Sequence, residues 1–154
     1  MDKSVSEIID LAIQREEEAY DFYMDIHNKL EDPGVKDTIE FIAGEEKKHK
    51  AFLVDYREKK LGPDSLRMAE VVEYKISEYV EKPEISTETS RQDVYLVAAH
   101  RESMSHKFYT KLANLHAEGE LKAMLLKMAN EELKHKEKME YLYANTAFPQ
   151  TAGG

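Results

Sequence analysis

Two short patterns in this chain have the residue types and spacing to do chemistry: Glu46 is followed three residues later by His49, and Glu132 three residues later by His135. On a helix, residues three apart share a face, so each pair offers a carboxylate and an imidazole to the same neighbour. A lone Glu-x-x-His is a weak signal. Here each copy is accompanied by a further glutamate, Glu16 or Glu102, thirty residues upstream of Glu46 or Glu132. That equal spacing puts the two half-sites at matching depths. Four carboxylates and two imidazoles form an oxygen and nitrogen donor set suited to iron or manganese. The chain has no cysteine, which excludes disulfides, thiolate-bound iron and zinc ribbons.

The elements that must position these groups are helices. Val5, Ile9, Ala12, Glu16, Ala19, Tyr23, Ile26 and Leu30 step by four and three residues, as do Val35, Ile39, Ile42, Glu46, His49, Leu53 and Tyr56. Tyr95, Ala98, Glu102, Ser105, Tyr109 and Leu112 form a third such stripe, and Leu121, Leu125, Met128, Glu132, His135, Met139 and Leu142 a fourth. Each is a core-facing helix stripe with a glutamate at its middle. Folding therefore points four carboxylates inward. Burying an isolated charge costs several kcal/mol even after relaxation, and four together repel one another. No Lys or Arg lies on the central levels of the stripes, so bound metal is the remaining counter-charge, and two divalent ions would offset four carboxylates.

Glu31-Asp32-Pro33-Gly34 marks a short turn, with Pro33 in the first turn of the second helix, and Leu61-Gly62-Pro63 supplies a stop. Residues 62–90 read as a long crossover, with apolar residues from Leu66 to Val80 compatible with a short helix and EKPEISTETS as a polar linker. A shift of 86 residues superposes Ala12, Arg15, Glu16, Phe22, Tyr23 and Asn28 on Ala98, Arg101, Glu102, Phe108, Tyr109 and Asn114. The same shift carries Glu46 and His49 onto Glu132 and His135. The expected fold is all-α: a four-helix bundle made of two duplicated antiparallel helix pairs joined by the crossover. It forms a single domain over residues 1–145, with 146–154 as a flexible tail.

Composition narrows the function classes. A formal net charge of -9 repels phosphate backbones, and no basic stripe offsets it, which argues against a nucleic-acid partner. The amino terminus lacks a signal-peptide core, and no run approaches a bilayer-spanning length, so the expectation is a cytoplasmic protein without a membrane partner.

The segments REEEAYDFY and GEEKKHK, echoed as RESMSHKFY and NEELKHK, resemble the rubrerythrin-like branch of the ferritin superfamily, over nearly all of Ser4 to Tyr143. The resemblance implies a ferritin-like bundle with two iron ions, manganese being the alternative. It assigns Glu46 and Glu132 as bridges, Glu16 and Glu102 as terminal ligands, and His49 and His135 as completing the shells. It also implies an oxidoreductase of the peroxidase or oxidase type acting on peroxide or dioxygen, and a homodimer. The chain departs from the pattern twice. It carries no cysteine-ligated rubredoxin module, so electrons must come from an external rubredoxin-like donor. It also lacks the additional third-helix glutamate, since Ala98, Ala99, Ser105 and His106 surround Glu102 on its face. That leaves peroxide turnover open against a non-catalytic iron-binding or iron-handling role; a metal-free helical scaffold is the third reading.

Plainer roles compete for several residues. Glu45 and Glu131 also repeat but fall beside the stripes, and Glu17 is matched by Ser103. Tyr23 and Tyr109 could hydrogen-bond ligand carboxylates or relay an electron; equally, they could be core aromatics with satisfied hydroxyls. His27, His100, His106 and His116 have no repeated partners and read as surface or rim residues. Met104, Met124, Met128 and Met139 read as core filler.

Overall fold

The computed structural model describes residues 3–58 and 89–147, which form four helices: α1 Lys3–Lys29, α2 Pro33–Arg57, α3 Arg91–Asn114 and α4 Glu120–Ala147. The segments expected to hold the crossover helix, the polar linker up to Glu88 and the end of the tail lie outside the described residues. α4 itself continues through Ala147, past the expected start of the tail at 146.

The helix boundaries have local causes. At the start of α2 the Asp32 carboxylate accepts hydrogen bonds from the free amides of Gly34 (2.9 Å) and Val35 (3.3 Å), and Pro33 occupies a position with no amide to satisfy. Ser90 caps α3 by accepting from the Asp93 amide. Arg91 then reaches the Asp32 carboxylate at 2.6 Å, which ties the starts of α2 and α3 together.

α1 packs on α2 and α3 on α4, with α1 also against α3. Residues 30–32 leave the chain no room to do anything but reverse between α1 and α2. The apolar core splits into two clusters to which all four helices contribute. One holds Ile9 of α1, Phe52 of α2, Leu112 of α3 and Met124 of α4; the other holds Ile26, Val35, Val94 and Met139. The amino-terminal part of α1 thus lies with the carboxy-terminal part of α3, so α1 and α3 run antiparallel. The repeat exchanges the clusters: Ile39 and Ile42 belong to one, and their equivalents Leu125 and Met128 to the other. A pseudo-twofold axis therefore passes between the clusters, through the layer where the four stripe glutamates sit.

The stripes face the core as their periodicity predicts, but α3 is enclosed more fully than its stripe requires. Val94 through Ala99 are all buried, as are Arg101 and Ser103. Met104, expected as core filler, is instead half exposed at 50%. It stands two residues from Glu102, about 200° around the helix, which turns it away from the bundle axis. Met124, Met128 and Met139 are fully buried. Among the described residues no helix is long and apolar enough to cross a membrane.

Candidate metal centre

Each helix delivers its central glutamate to the layer between the two apolar clusters, and α2 and α4 add their histidines one turn further on. Glu16, Glu46, Glu102 and Glu132 are no more than 2% exposed, and His49 is 4% exposed. Their donor atoms form two groups that could hold metal ions: Glu16, Glu46, His49 and Glu132, and Glu46, Glu102, Glu132 and His135. Within each group the atoms lie within 4.8 Å of one another, and Glu46 and Glu132 belong to both. All six residues singled out by spacing are thus brought together. Glu45 and Glu131, the off-stripe rivals, are partly buried, pair with Lys48 and Lys134 on their own helices and belong to neither donor group.

The contacts follow the pseudo-twofold axis. His49 Nδ1 is 3.1 Å from Glu132 and 3.7 Å from Glu16; His135 Nδ1 is 3.6 Å from Glu46 and 3.9 Å from Glu102. The two imidazoles stack with centroids 5.4 Å apart. The Tyr23 hydroxyl donates to Glu102 at 2.8 Å and the Tyr109 hydroxyl to Glu16 at 2.7 Å. Each tyrosine therefore serves the glutamate of the other half. The same crossing relates Arg15, whose guanidinium lies over Phe108, and Arg101, which lies over Phe22.

The carboxylates are under-satisfied. Both Glu46 oxygens, and one oxygen each of Glu16, Glu102 and Glu132, are buried without a hydrogen-bond partner, as is His135 Nδ1. Buried polar atoms are nearly always paired, and five orphaned carboxylate oxygens in one layer could be satisfied by a cation. Electrostatics point the same way. Burial, reinforced by the charges of Glu102 and Glu16, holds Glu46 well above the ordinary carboxylate range. Burial with the charges of Glu46 and Glu102 does the same to Glu132. Burial also opposes ionisation of Glu16, yet the adjacent Glu46 carboxyl, the His49 imidazole and the Tyr109 hydroxyl outweigh it and bring Glu16 down to about 2. Burial resists protonation of His49, but the Glu16 carboxylate beside it wins and raises it; His135 is lowered, chiefly by burial. Burial and the neighbouring carboxylates push Tyr23 and Tyr109 well above the ordinary phenol range, so both remain donors.

Among the described residues two basic side chains are buried without a signal in the stripes. Arg101 is 9% exposed, and Lys136 is 1% exposed with its ammonium 3.8 Å from the fully buried Glu140. The i, i+4 spacing of Lys136 and Glu140 is a signal for a pair but not for its burial. Neither Lys136 nor Glu140 belongs to the ligand groups.

The fold and the site define a four-helix bundle with a buried carboxylate and imidazole layer able to hold metal ions. The chain is similar to a hypothetical protein from Pyrococcus furiosus, with 25% identity and a TM-score of 0.61 over 97% of this chain and 94% of that one. No protein-family model and no curated protein matches the sequence.

Proposed function

We propose that the chain is a di-iron carboxylate protein of the rubrerythrin-like, ferritin-like kind, with redox activity on peroxide or dioxygen and an external electron donor. The supporting observation is the pair of overlapping ligand groups sharing Glu46 and Glu132, whose free oxygens fit two adjacent ions. In this reading Glu16, Glu46, His49 and Glu132 would hold one iron ion and Glu46, Glu102, Glu132 and His135 the other, and the two ions would supply electron transfer to the oxidant. The chain's own residues supply the rest. The two apolar clusters flank the layer above and below, the two histidines stack on each other, and Tyr23 and Tyr109 orient Glu102 and Glu16 through donated hydrogen bonds.

A second reading, iron binding or handling without turnover, is favoured by the small buried residues Ala98, Ala99 and Ser105 beside Glu102, where a further carboxylate would otherwise add a ligand. Elemental analysis of protein purified without chelator tests both, with about two metal ions per chain expected; none would refute them together. Reduced, loaded protein mixed with excess peroxide is then expected to oxidise about once per site. It should stall until a rubredoxin-like donor and its reductase are added. Failure to consume peroxide with that donor present would leave the non-catalytic reading, and sustained turnover on NADH alone would refute the external donor. The expected homodimer is tested by light scattering.

A further inference from the structure

The two halves of the duplication differ in how they enclose the site. On the α1 and α2 side a cleft of about 250 Å³ is lined by the buried Glu16 and Glu46 and by Glu17, Tyr20, Asp21, Lys47 and Lys50. Glu17 and Asp21 are exposed, while Glu16 and Glu46 are buried and carry oxygens without hydrogen-bond partners. The cleft thus runs from an acidic rim to two unsatisfied ligand carboxylates. The repeat puts Ser103 where Glu17 stands, His106 where Tyr20 stands, Leu133 where Lys47 stands and Lys136 where Lys50 stands. There Ser103 and Lys136 are buried and His106 is engaged with the Ala129 carbonyl at 2.9 Å. At these positions the equivalent face is therefore less open to solvent.

We propose that the α1–α2 cleft is the entry route for a divalent cation, with Glu17 and Asp21 as the outer station from which it passes to Glu16 and Glu46. This rests on the metal-site reading above. A hydrated cation arriving from solvent is attracted by carboxylates at the mouth and exchanges water for carboxylate oxygens as it moves inward, so no bare charge crosses an apolar wall. Two lysines of α2 lean across the mouth: Lys50 pairs with Glu17 at 3.1 Å, and Lys47 lies over the Tyr20 ring at 5.4 Å. Lys50 is half exposed, so its ion pair with Glu17 is weak and an incoming cation can displace it. The Lys50–Glu17 pair acts as a latch that slows entry without closing it.

Co(II), followed by its visible absorption in a stopped-flow instrument, is the probe, and the readout is the loading rate together with the final stoichiometry. The double substitution Glu17→Gln with Asp21→Asn is expected to slow loading roughly tenfold, since steering by local charge changes association rates by about 10-fold or more. The final stoichiometry should be unchanged. Lys50→Gln, which frees Glu17, should accelerate loading several-fold, and both effects should shrink as salt is raised. The double substitution Glu18→Gln with Asp25→Asn, at exposed residues of the same helix that do not line the cleft and with the same change in net charge as Glu17→Gln with Asp21→Asn, should alter the rate less than twofold and serves as the control. Because Glu17, Asp21 and Lys50 are exposed or half-exposed, unchanged melting temperatures are expected for these variants. Wild-type loading of two ions with rates indifferent to Glu17, Asp21 and Lys50 would overturn the entry route alone; a wild-type chain that takes up no Co(II) would overturn both the route and the site.

Discussion

Replacing Glu46 by glutamine separates a site built for metal from an ordinary buried polar cluster, because it should stabilise one state of the protein and disable another. In the metal-free protein Glu46 shares a layer with Glu102 and Glu132, with donor atoms no more than 4.8 Å apart. At that distance, with an effective dielectric constant of about 20, two ionised carboxylates repel by about 3–4 kcal/mol. Protonation relieves this repulsion but has its own cost. Each pH unit between the ordinary value of 4.5 and neutrality costs about 1.36 kcal/mol, which caps the penalty at about 3 kcal/mol at pH 7. Glutamine removes the penalty, and its own buried amide returns about half of it. The net expectation is about 1–2 kcal/mol of stabilisation, or a melting temperature raised by roughly 3–6 °C in chelator-treated protein. The same variant should lose most of its metal and the stabilisation that metal confers. The assay is thermal unfolding with and without Fe(II) or Co(II), set beside Glu45→Gln, which should change neither state by more than about 0.5 kcal/mol. A Glu46→Gln protein that melts lower without metal, or that gains as much from metal as the wild type does, would refute the reasoning.

The metal-free protein should lose stability as pH rises from about 5 to 8, while the loaded protein should not. Glu46 and Glu132 are raised on folding, so their contribution is complete below their ordinary value of 4.5 and is lost as pH climbs toward their folded values. Raised His49 adds to this loss above its ordinary value of 6.5, and lowered His135 works against it; Glu16, held at about 2, contributes above 4.5 and loses its effect only as pH falls toward 2. Melting temperatures across that range decide it, and a metal-free protein that grows more stable toward pH 8 would contradict the raised positions of Glu46 and Glu132. Tyr23→Phe and Tyr109→Phe should each cost about 1–3 kcal/mol in metal-free protein, by leaving a buried carboxylate oxygen of Glu102 or Glu16 without its donor. The matching hydrogen bonds make costs of similar size the expectation, and urea titrations that find either cost negligible would contradict the role of that hydrogen bond.

Much of the site was legible because helix periodicity is a local property. Stripes of alternate four and three steps place Glu16, Glu46, Glu102 and Glu132 on core-facing sides wherever the helices end up, and the 86-residue repeat makes the two half-sites equivalent before any packing is known. Which groups meet across the bundle is not local. Tyr23 stands two helical turns from Glu16 on its own helix, too far to touch it, and only the antiparallel placement of α1 and α3 brings its hydroxyl to Glu102. The burial of Lys136, whose repeat partner Lys50 stays half exposed, likewise depends on what covers each face. A repeat in sequence specifies equivalent backbone positions, but solvent exposure is set by neighbours drawn from distant parts of the chain. The exposed Met104 and the open cleft beside Glu17, where the equivalent Ser103 is buried, are therefore decisions of the tertiary structure. The candidate donor set was legible in residue type and spacing, and the asymmetry of its surroundings was decided by packing.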